Sequence, residues 1–160
     1  MNMWADEPTM KPVGGVVLLN EEEAHDWFRR MVDPGSPSHC YRIIINDEEV
    51  PVGEVSFHRL NPDTMTAELN VKVLDRFRGR GYGSRAVMMM LDYFFGEFGG
   101  KTFIDLVAPD NTGGQQMLVS MGFSKDTNRT DGCLLSLNRE EYENRVRHSA
   151  QISSGCRSLE

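Results

Sequence analysis

The stretch Val71-Lys72-Val73-Leu74-Asp75-Arg76-Phe77-Arg78-Gly79-Arg80-Gly81-Tyr82-Gly83-Ser84 constrains the fold more than any other part of the chain. An alternating strand runs into it and a helical apolar stripe runs out of it, so it reads strand, loop, helix. Glycine at 79, 81 and 83 lets the backbone take positive φ and lets a ligand approach closely. A glycine-rich turn that opens a helix aims several N–H groups in one direction and adds the positive end of the helix dipole. Such a turn suits a diphosphate, although the same glycines and arginines also suit a plain solvated turn. Two familiar phosphate loops do not fit. A P-loop requires Lys followed by Ser or Thr after its last glycine, and Gly83-Ser84-Arg85 lacks that pair. The dinucleotide fingerprint belongs to the first βαβ unit of a parallel sheet, whereas an antiparallel meander precedes this loop.

The meander is read from periodicity. Asn20-Glu21-Glu22-Glu23 has the N-cap and downstream acids of a helix start, and Ala24, Trp27, Phe28 and Met31 follow at helical spacing, predicting a helix over 21–32. Asp33-Pro34-Gly35-Ser36-Pro37 ends it. Tyr41 to Ile45 is a β-branched run that stops at Asn46-Asp47-Glu48-Glu49. Val50 to Leu60 and Thr64 to Val73 then read as strands joined by Asn61-Pro62-Asp63. The second of these places Met65, Ala67, Leu69, Val71 and Val73 on one face and Thr64, Thr66, Glu68, Asn70 and Lys72 on the other.

Beyond the loop, Val87, Met90, Leu91 and Phe94 predict a helix that Gly96, Gly99 and Gly100 terminate. Thr102 to Val107 is a strand, and Pro109-Asp110-Asn111 opens a short helix with apolar Met117, Leu118 and Met121, closed by Gly122. Phe123-Ser124 and Cys133 to Leu137 suggest a hairpin. The order predicts an α+β fold, a mixed and mainly antiparallel central sheet with helices on both faces. Residues 1–147 are expected as a single domain and 148–160, with Ser153-Ser154-Gly155, as a flexible tail.

Composition removes several classes of function. The chain has 160 residues, 39% hydrophobic and 26% charged, which is ordinary globular usage and not that of a disordered or coiled-coil chain. Its longest apolar run, around Val87 to Leu91, is far short of the ~20 residues a bilayer span needs. Met1 to Pro8 shows neither a basic nor an apolar signal region. Cys40, Cys133 and Cys156 are odd in number and lack metal-ligand spacing, so reduced thiols, a cytoplasmic location and no metal are expected. The formal charge of −7 is unevenly spread: residues 1–75 hold 14 acids and 6 bases, and residues 76–160 hold 10 acids and 11 bases. Arg76, Arg78, Arg80 and Arg85 form a local basic patch on an acidic protein. Nucleic acid and membranes are therefore not expected partners, and a small phosphorylated ligand is.

Read as Arg-x-x-Gly-x-Gly, Arg78, Gly81 and Gly83 resemble the acetyl-CoA signature of the GNAT superfamily of N-acetyltransferases. The strand 64–73 resembles that family's fourth strand and 102–107 its fifth. Asn111 with Gly114, Met117, Gly122 and Phe123 is similar to the family's Asn…Gly-Phe helix and turn. The resemblance implies acetyl-CoA as cosubstrate. It implies that Gly79, Arg80, Gly81, Tyr82, Gly83 and Ser84 offer N–H donors to the CoA diphosphate, with Arg78 as the loop's basic position. It also implies that Val71 and Val73 pair with pantetheine, and that Asn111 touches the pantetheine arm, caps its helix, or does both.

The implied reaction is direct acetyl transfer to a primary amine of a cationic small molecule or peptide, the alternative being a non-catalytic acyl-CoA-binding or interaction module. A free alkyl ammonium has a pKa of ~10, so a base is needed. Glu68 is the leading candidate by resemblance, with a structural Glu as the other reading, and Glu54 on the preceding strand, which could be its neighbour across the sheet, is the second candidate base. His58 could titrate near neutral pH, but a lone strand histidine more often belongs to a surface or core. Many family members place a thiolate-protonating tyrosine seven residues after the Asn, and here that position is Leu118. No replacement is evident in the sequence. The acidic first helix, with Glu21, Glu22, Glu23, Asp26 and Asp33, would favour cationic acceptors. A homodimer is compatible with all of this.

Overall fold

The computed structural model describes residues 3–32, 37–126 and 132–155, with side chains as far as Ser149. Asp33 to Ser36 and Cys156 to Glu160 lie outside the described residues. The single turn α1 (Glu7–Met10) is capped by Asp6, and α2 (Glu21–Met31) by a reciprocal box in which Asn20 and Glu23 each accept the other's backbone N–H at 2.9 Å. An antiparallel meander follows, β1 (Cys40–Ile45), β2 (Pro51–Asn61) and β3 (Thr66–Val73). α3 (Tyr82–Leu91) runs on through a π-helical segment, Asp92–Phe98, and carries the chain back to β4 (Thr102–Val107), parallel to β3. α4 (Thr112–Ser120) leads into the antiparallel hairpin of β5 (Ser124–Asp126) and β6 (Cys133–Asn138), and α5 (Arg139–Gly155) closes the described chain. The strand order is β1-β2-β3-β4-β6-β5, the mixed and mostly antiparallel sheet expected from the element order.

Strand alternation sorts the sheet into two faces. Val55, Phe57, Ala67, Leu69 and Phe103 are buried against Val87, Met90, Leu91 and Phe94 from the α3 segment. Phe94 and Phe103 stack with centroids 3.8 Å apart, and a Cβ at Gly100 would collide with the Phe94 ring. Each of these large apolar side chains contributes about 1.5–3 kcal/mol by leaving water, which fixes α3 and its glycine loop against the sheet.

The opposite face carries Tyr41, Glu54, Ser56, His58, Glu68, Asn70 and Lys72 by the same alternation. Trp27 of α2 meets Tyr41 edge-on at 5.2 Å and Trp4 at 4.4 Å. Cover on both faces explains why β2 is buried without a break from Val52 to Phe57. α2 itself is lightly packed: it has no buried residue, and Phe28 of its expected apolar stripe is 54% exposed.

α5 was not foreseen. Its start is a second reciprocal cap, with Asn138 and Glu141 each accepting the other's N–H at 2.9 Å. Tyr142 stacks on Phe95 at 5.0 Å and its hydroxyl donates to Asp92. Arg139 donates to the Gly100 carbonyl at 2.8–3.0 Å, and Arg145 to that of Ser120 at 2.8 Å. The segment expected as a tail from residue 148 continues this helix to Gly155, because anchors of Arg and Tyr leave no apolar periodicity to read.

Candidate active site

The glycine loop forms as its composition demands. Gly79 and Gly81 have φ of +72° and +80°, and Gly81 is the N-cap of α3 without any side-chain cap. The first N–H groups of the helix therefore have no intrahelical acceptor. Positive charge surrounds them: Arg76 and Arg80 lie 4.9 and 5.5 Å from the Phe77 ring centroid, and Arg85 lies 5.3 Å from that of Tyr82. Arg78 is placed differently. Its guanidinium donates to the carbonyls of Val73 at 3.2 Å, Pro8 at 3.4 Å and Thr9 at 2.8 Å, and to Asp75 at 3.1 Å. Buried Thr9 completes the joint by accepting Asp75 N–H at 2.9 Å through its hydroxyl. Arg78 thus fastens the N-terminal segment to the loop.

β3 and β4 pair only through Thr66–Thr102, Ala67–Phe103 and Glu68–Ile104. Beyond Glu68 the two strands diverge, and Asn70 to Val73 have no β4 partner. Val71 and Val73 stand on this open edge. From the helix side, a Cβ at Gly83 would stand 3.5 Å from Val73 Cγ2 and 3.6 Å from Met117 Sδ, so α3 and α4 flank the split.

Glu68 sits where pairing stops. A register shift between His58 and Asn61, with Arg59 at φ +51°, turns two consecutive residues of β2 onto it. Arg59 Nη1 lies 3.0 and 3.2 Å from the two Glu68 oxygens, and His58 Nε2 lies 3.5 Å from one of them. Burial pushes the His58 imidazole below its ordinary range, against the pull of the Glu68 carboxylate, so the ring is neutral at pH 7. Its Nδ1 is buried and unpartnered among the described residues. Sequence reading weighed His58 as a group able to titrate near neutral pH and favoured a surface or core residue. Arg59 gave no signal at all, because only the bulge directs it.

Glu54 is not the cross-strand neighbour of Glu68. Register pairs Glu54 with Lys72 and Glu68 with His58, four residues along β2 and about 13 Å away at ~3.3 Å per residue. Glu54 is buried, accepts Lys72 Nζ at 2.9 Å and lies 3.3 Å from Trp4 Nε1 through both oxygens. Its carboxylate is thereby enclosed in an ion pair under an indole.

Across the split, Asn111 caps α4 and accepts Gly114 N–H at 3.0 Å. Leu118 is 1% exposed in the core, so no hydroxyl enters the site there. Gln115, also unforeseen, is buried and bonds the carbonyls of Ala108 and Pro109 and the Lys125 ammonium. One acid on this side was missed. Asp105 lies on β4 immediately past the last paired residue, and burial, reinforced by Glu68 and opposed by Lys72, pushes its carboxyl up to about 7. An acid inside Thr-Phe-Ile-Asp-Leu-Val was the signal available.

An uncapped, glycine-opened helix beside Arg76, Arg80 and Arg85 fits a diphosphate, and a diverging strand edge fits an amide-bearing arm that adds to a sheet. The residues present therefore suit CoA.

Comparison with known proteins agrees. The family model described as acetyltransferase (GNAT) domain matches residues 1–124. An N-acetyltransferase p20 of Bacillus licheniformis, itself described as uncharacterized, is 23% identical over 125 residues, covering 77% of this chain and 70% of that protein. A spermidine N-acetyltransferase from Vibrio cholerae in complex with CoA and spermine superposes with a TM-score of 0.77 at 14% identity, over 89% of both chains. A dodecameric form of the Vibrio cholerae enzyme gives 0.66 at 16% identity, over 78% of this chain and 77% of that one. At these identities the structural likeness is one of fold.

Proposed function

The chain belongs to the GNAT acetyltransferase family and is an acetyl-CoA-dependent N-acetyltransferase, and we propose that it transfers the acetyl group directly to a primary amine of a cationic small molecule or peptide. The observation that carries this reading is the position of Glu68, at the point where β3 and β4 part and on the strand that feeds the glycine loop. When bound, acetyl-CoA supplies an activated acetyl carbonyl. Gly79, Arg80, Gly81, Tyr82, Gly83 and Ser84 hold its diphosphate through N–H groups, and Val71 and Val73 align the arm, with Asn111 flanking from α4. Arg78 acts on the diphosphate indirectly, by fixing the loop's shape.

Glu68 accepts the proton of the acceptor ammonium, directly or through water. His58, neutral and 3.5 Å away, relays it. Glu54 holds Lys72 in place and so shapes the acceptor face rather than taking the proton. Trp4 and Trp27 cover that face and keep water from it. A cationic acceptor is supported by the exposed acids Glu21 and Glu22 of α2. Asp26 adds less, being paired with Arg29 at 2.5 Å, and Glu23 serves the cap. The Vibrio cholerae neighbour bound to spermine points to the same class of acceptor.

Residues 1–147 are read as the catalytic domain. Two buried free thiols, Cys40 and Cys133, support a cytoplasmic setting. Self-association as a homodimer is supported by exposed Leu18, Phe28, Ile43 and Ile45, and light scattering that returns a monomer mass would remove it.

Glu68→Gln tests the core of the reading. It should lower kcat/KM by roughly 10²-fold, the size of a general-base effect, while CoA affinity by calorimetry stays unchanged. A loss of less than about threefold at every pH would make Glu68 structural.

A further inference from the structure

An acid beside the split has no assigned task. Asp105 is half-buried on β4, one residue past the Glu68–Ile104 pair. It makes no hydrogen bond or ion pair among the described residues, which is unusual for an enclosed carboxyl. Its strand neighbours at i ± 2, Phe103 and Val107, are buried in the core, and its register partner on β6 is the fully buried Leu135. Asp105 therefore projects on the helix side of the sheet, the side from which α4 presents Leu118.

The path of the cosubstrate, as read above, brings its sulfur to this point. With the diphosphate at the 79–84 loop, the arm runs back along β3 from Val73 toward Glu68. The five steps between Val73 and Glu68 span about 17 Å at ~3.3 Å per residue, a length an extended pantetheine arm covers. The thioester end then lies at the apex of the split, between Glu68 on β3 and Asp105 on β4.

We propose that Asp105 is the general acid of the reaction, protonating the departing CoA sulfur from the β4 side in place of the hydroxyl that Leu118 cannot supply. This inference rests on the acetyltransferase reading. In the step, the acceptor nitrogen forms its bond to the acetyl carbon, the now cationic nitrogen gives its remaining excess proton to water, and the carbon–sulfur bond breaks with its electron pair on sulfur. Glu68 has taken the ammonium proton, and Asp105 gives its own proton to the sulfur. Free thiol leaves, the Asp105 carboxylate remains, and both carboxyls return to their starting states by exchange with water.

The field at Asp105 suits that task. From β3, on the other face of the sheet at the split, the Glu68 charge disfavours its ionisation, and Lys72 on the same strand favours it. α4 contains no acid or base, Arg85 is the only charged residue of α3 and is exposed, and β6 presents Leu135. Burial then dominates, and the carboxyl keeps its proton to about pH 7, close to the pH at which an acid is most useful.

The test compares wild type with the near-isosteric Asp105→Asn, and has two arms. Calorimetry with CoA and with desulfo-CoA, from pH 6 to pH 8.5, reads whether Asp105 lies beside the sulfur. In wild type, the Kd for CoA should rise at least threefold more than that for desulfo-CoA as Asp105 ionises, and in Asp105→Asn the two ligands should change in parallel. Steady-state kinetics form the second arm. Asp105→Asn should lower kcat at least tenfold with KM for acetyl-CoA within twofold, and should lose the alkaline fall in kcat, with Asp105→Glu retaining part of both.

Parallel behaviour of CoA and desulfo-CoA in wild type overturns the proposal. So does a variant whose kcat and alkaline limb match wild type, or one whose loss lies only in KM. Wild type that binds CoA with the expected difference yet turns over no amine would overturn the acetyltransferase reading instead, leaving the placement of Asp105 standing.

Discussion

A half-buried carboxyl on the same sheet face as buried Phe103, Val107 and Leu135 costs stability whenever it ionises, and Asp105 makes that cost visible in pH. An ordinary aspartate ionises near 3.9, whereas Asp105 holds its proton to about 7. Between those values the native state binds one proton more than the unfolded state, so stability falls as pH rises through this window. The total is up to about 4 kcal/mol by linkage. Asp105→Asn removes the titration. Its Tm should therefore stay level between pH 5 and pH 8 while that of wild type falls, and thermal melts showing equal pH slopes would contradict this. The loop makes a second prediction at the same scale. Gly81 holds φ +80° with open space around it, so the objection to a side chain there is conformational, and strongest for a β-branched one. Gly81→Val should weaken acetyl-CoA binding at least tenfold by calorimetry, about 1.4 kcal/mol, on a variant that remains folded.

Among elements, the N-terminal segment joins both halves of the site. Trp4 reaches Glu54 on the acceptor face, while Pro8 and Thr9 are held by Arg78 beside the glycine loop. Arg78→Met should release this joint, raising amide exchange at Trp4–Met10 at least tenfold, as expected for losing about 1.4 kcal/mol of hydrogen bonding. If exchange is unchanged and only CoA affinity falls, Arg78 acts on the diphosphate directly. The elements themselves differ in how openly the sequence states them. β3 and α3 were legible because their apolar residues keep strict periods of 2 and 3.6. α5 carried the same start signal as α2, Asn followed three residues later by Glu, but Arg139, Tyr142 and Arg145 hold it without an apolar stripe. The site was half legible for a related reason. Glycines and a strand glutamate are local features, whereas the reach of Arg59 and His58 to Glu68 depends on a bulge, and the burial of Asp105 depends on tertiary packing that no local pattern states. Glu54 was misplaced because alternation gives a residue's face and not its register.

On the scale of the whole molecule, charge divides the protein into an acidic first half with 14 acids against 6 bases and a balanced second half carrying the arginine loop. An anionic cosubstrate and a cationic acceptor would thus be drawn to different regions of one cleft. Among amines of similar size, those with a second positive charge should show higher kcat/KM than zwitterionic ones, and the preference should shrink between low and high ionic strength as exposed Glu21 and Glu22 are screened. A preference that salt leaves unaltered would remove α2 from acceptor choice. The most direct measurement is of turnover itself: free thiol released from acetyl-CoA with and without a diamine, with mass spectrometry of the amine. Thiol release that depends on the amine, exceeds many equivalents of protein and matches the N-acetylated product one to one is the expected result. Stoichiometric binding of acetyl-CoA with no acetylated amine, across polyamines, aminoglycosides, amino acids and peptide N-termini, would contradict it.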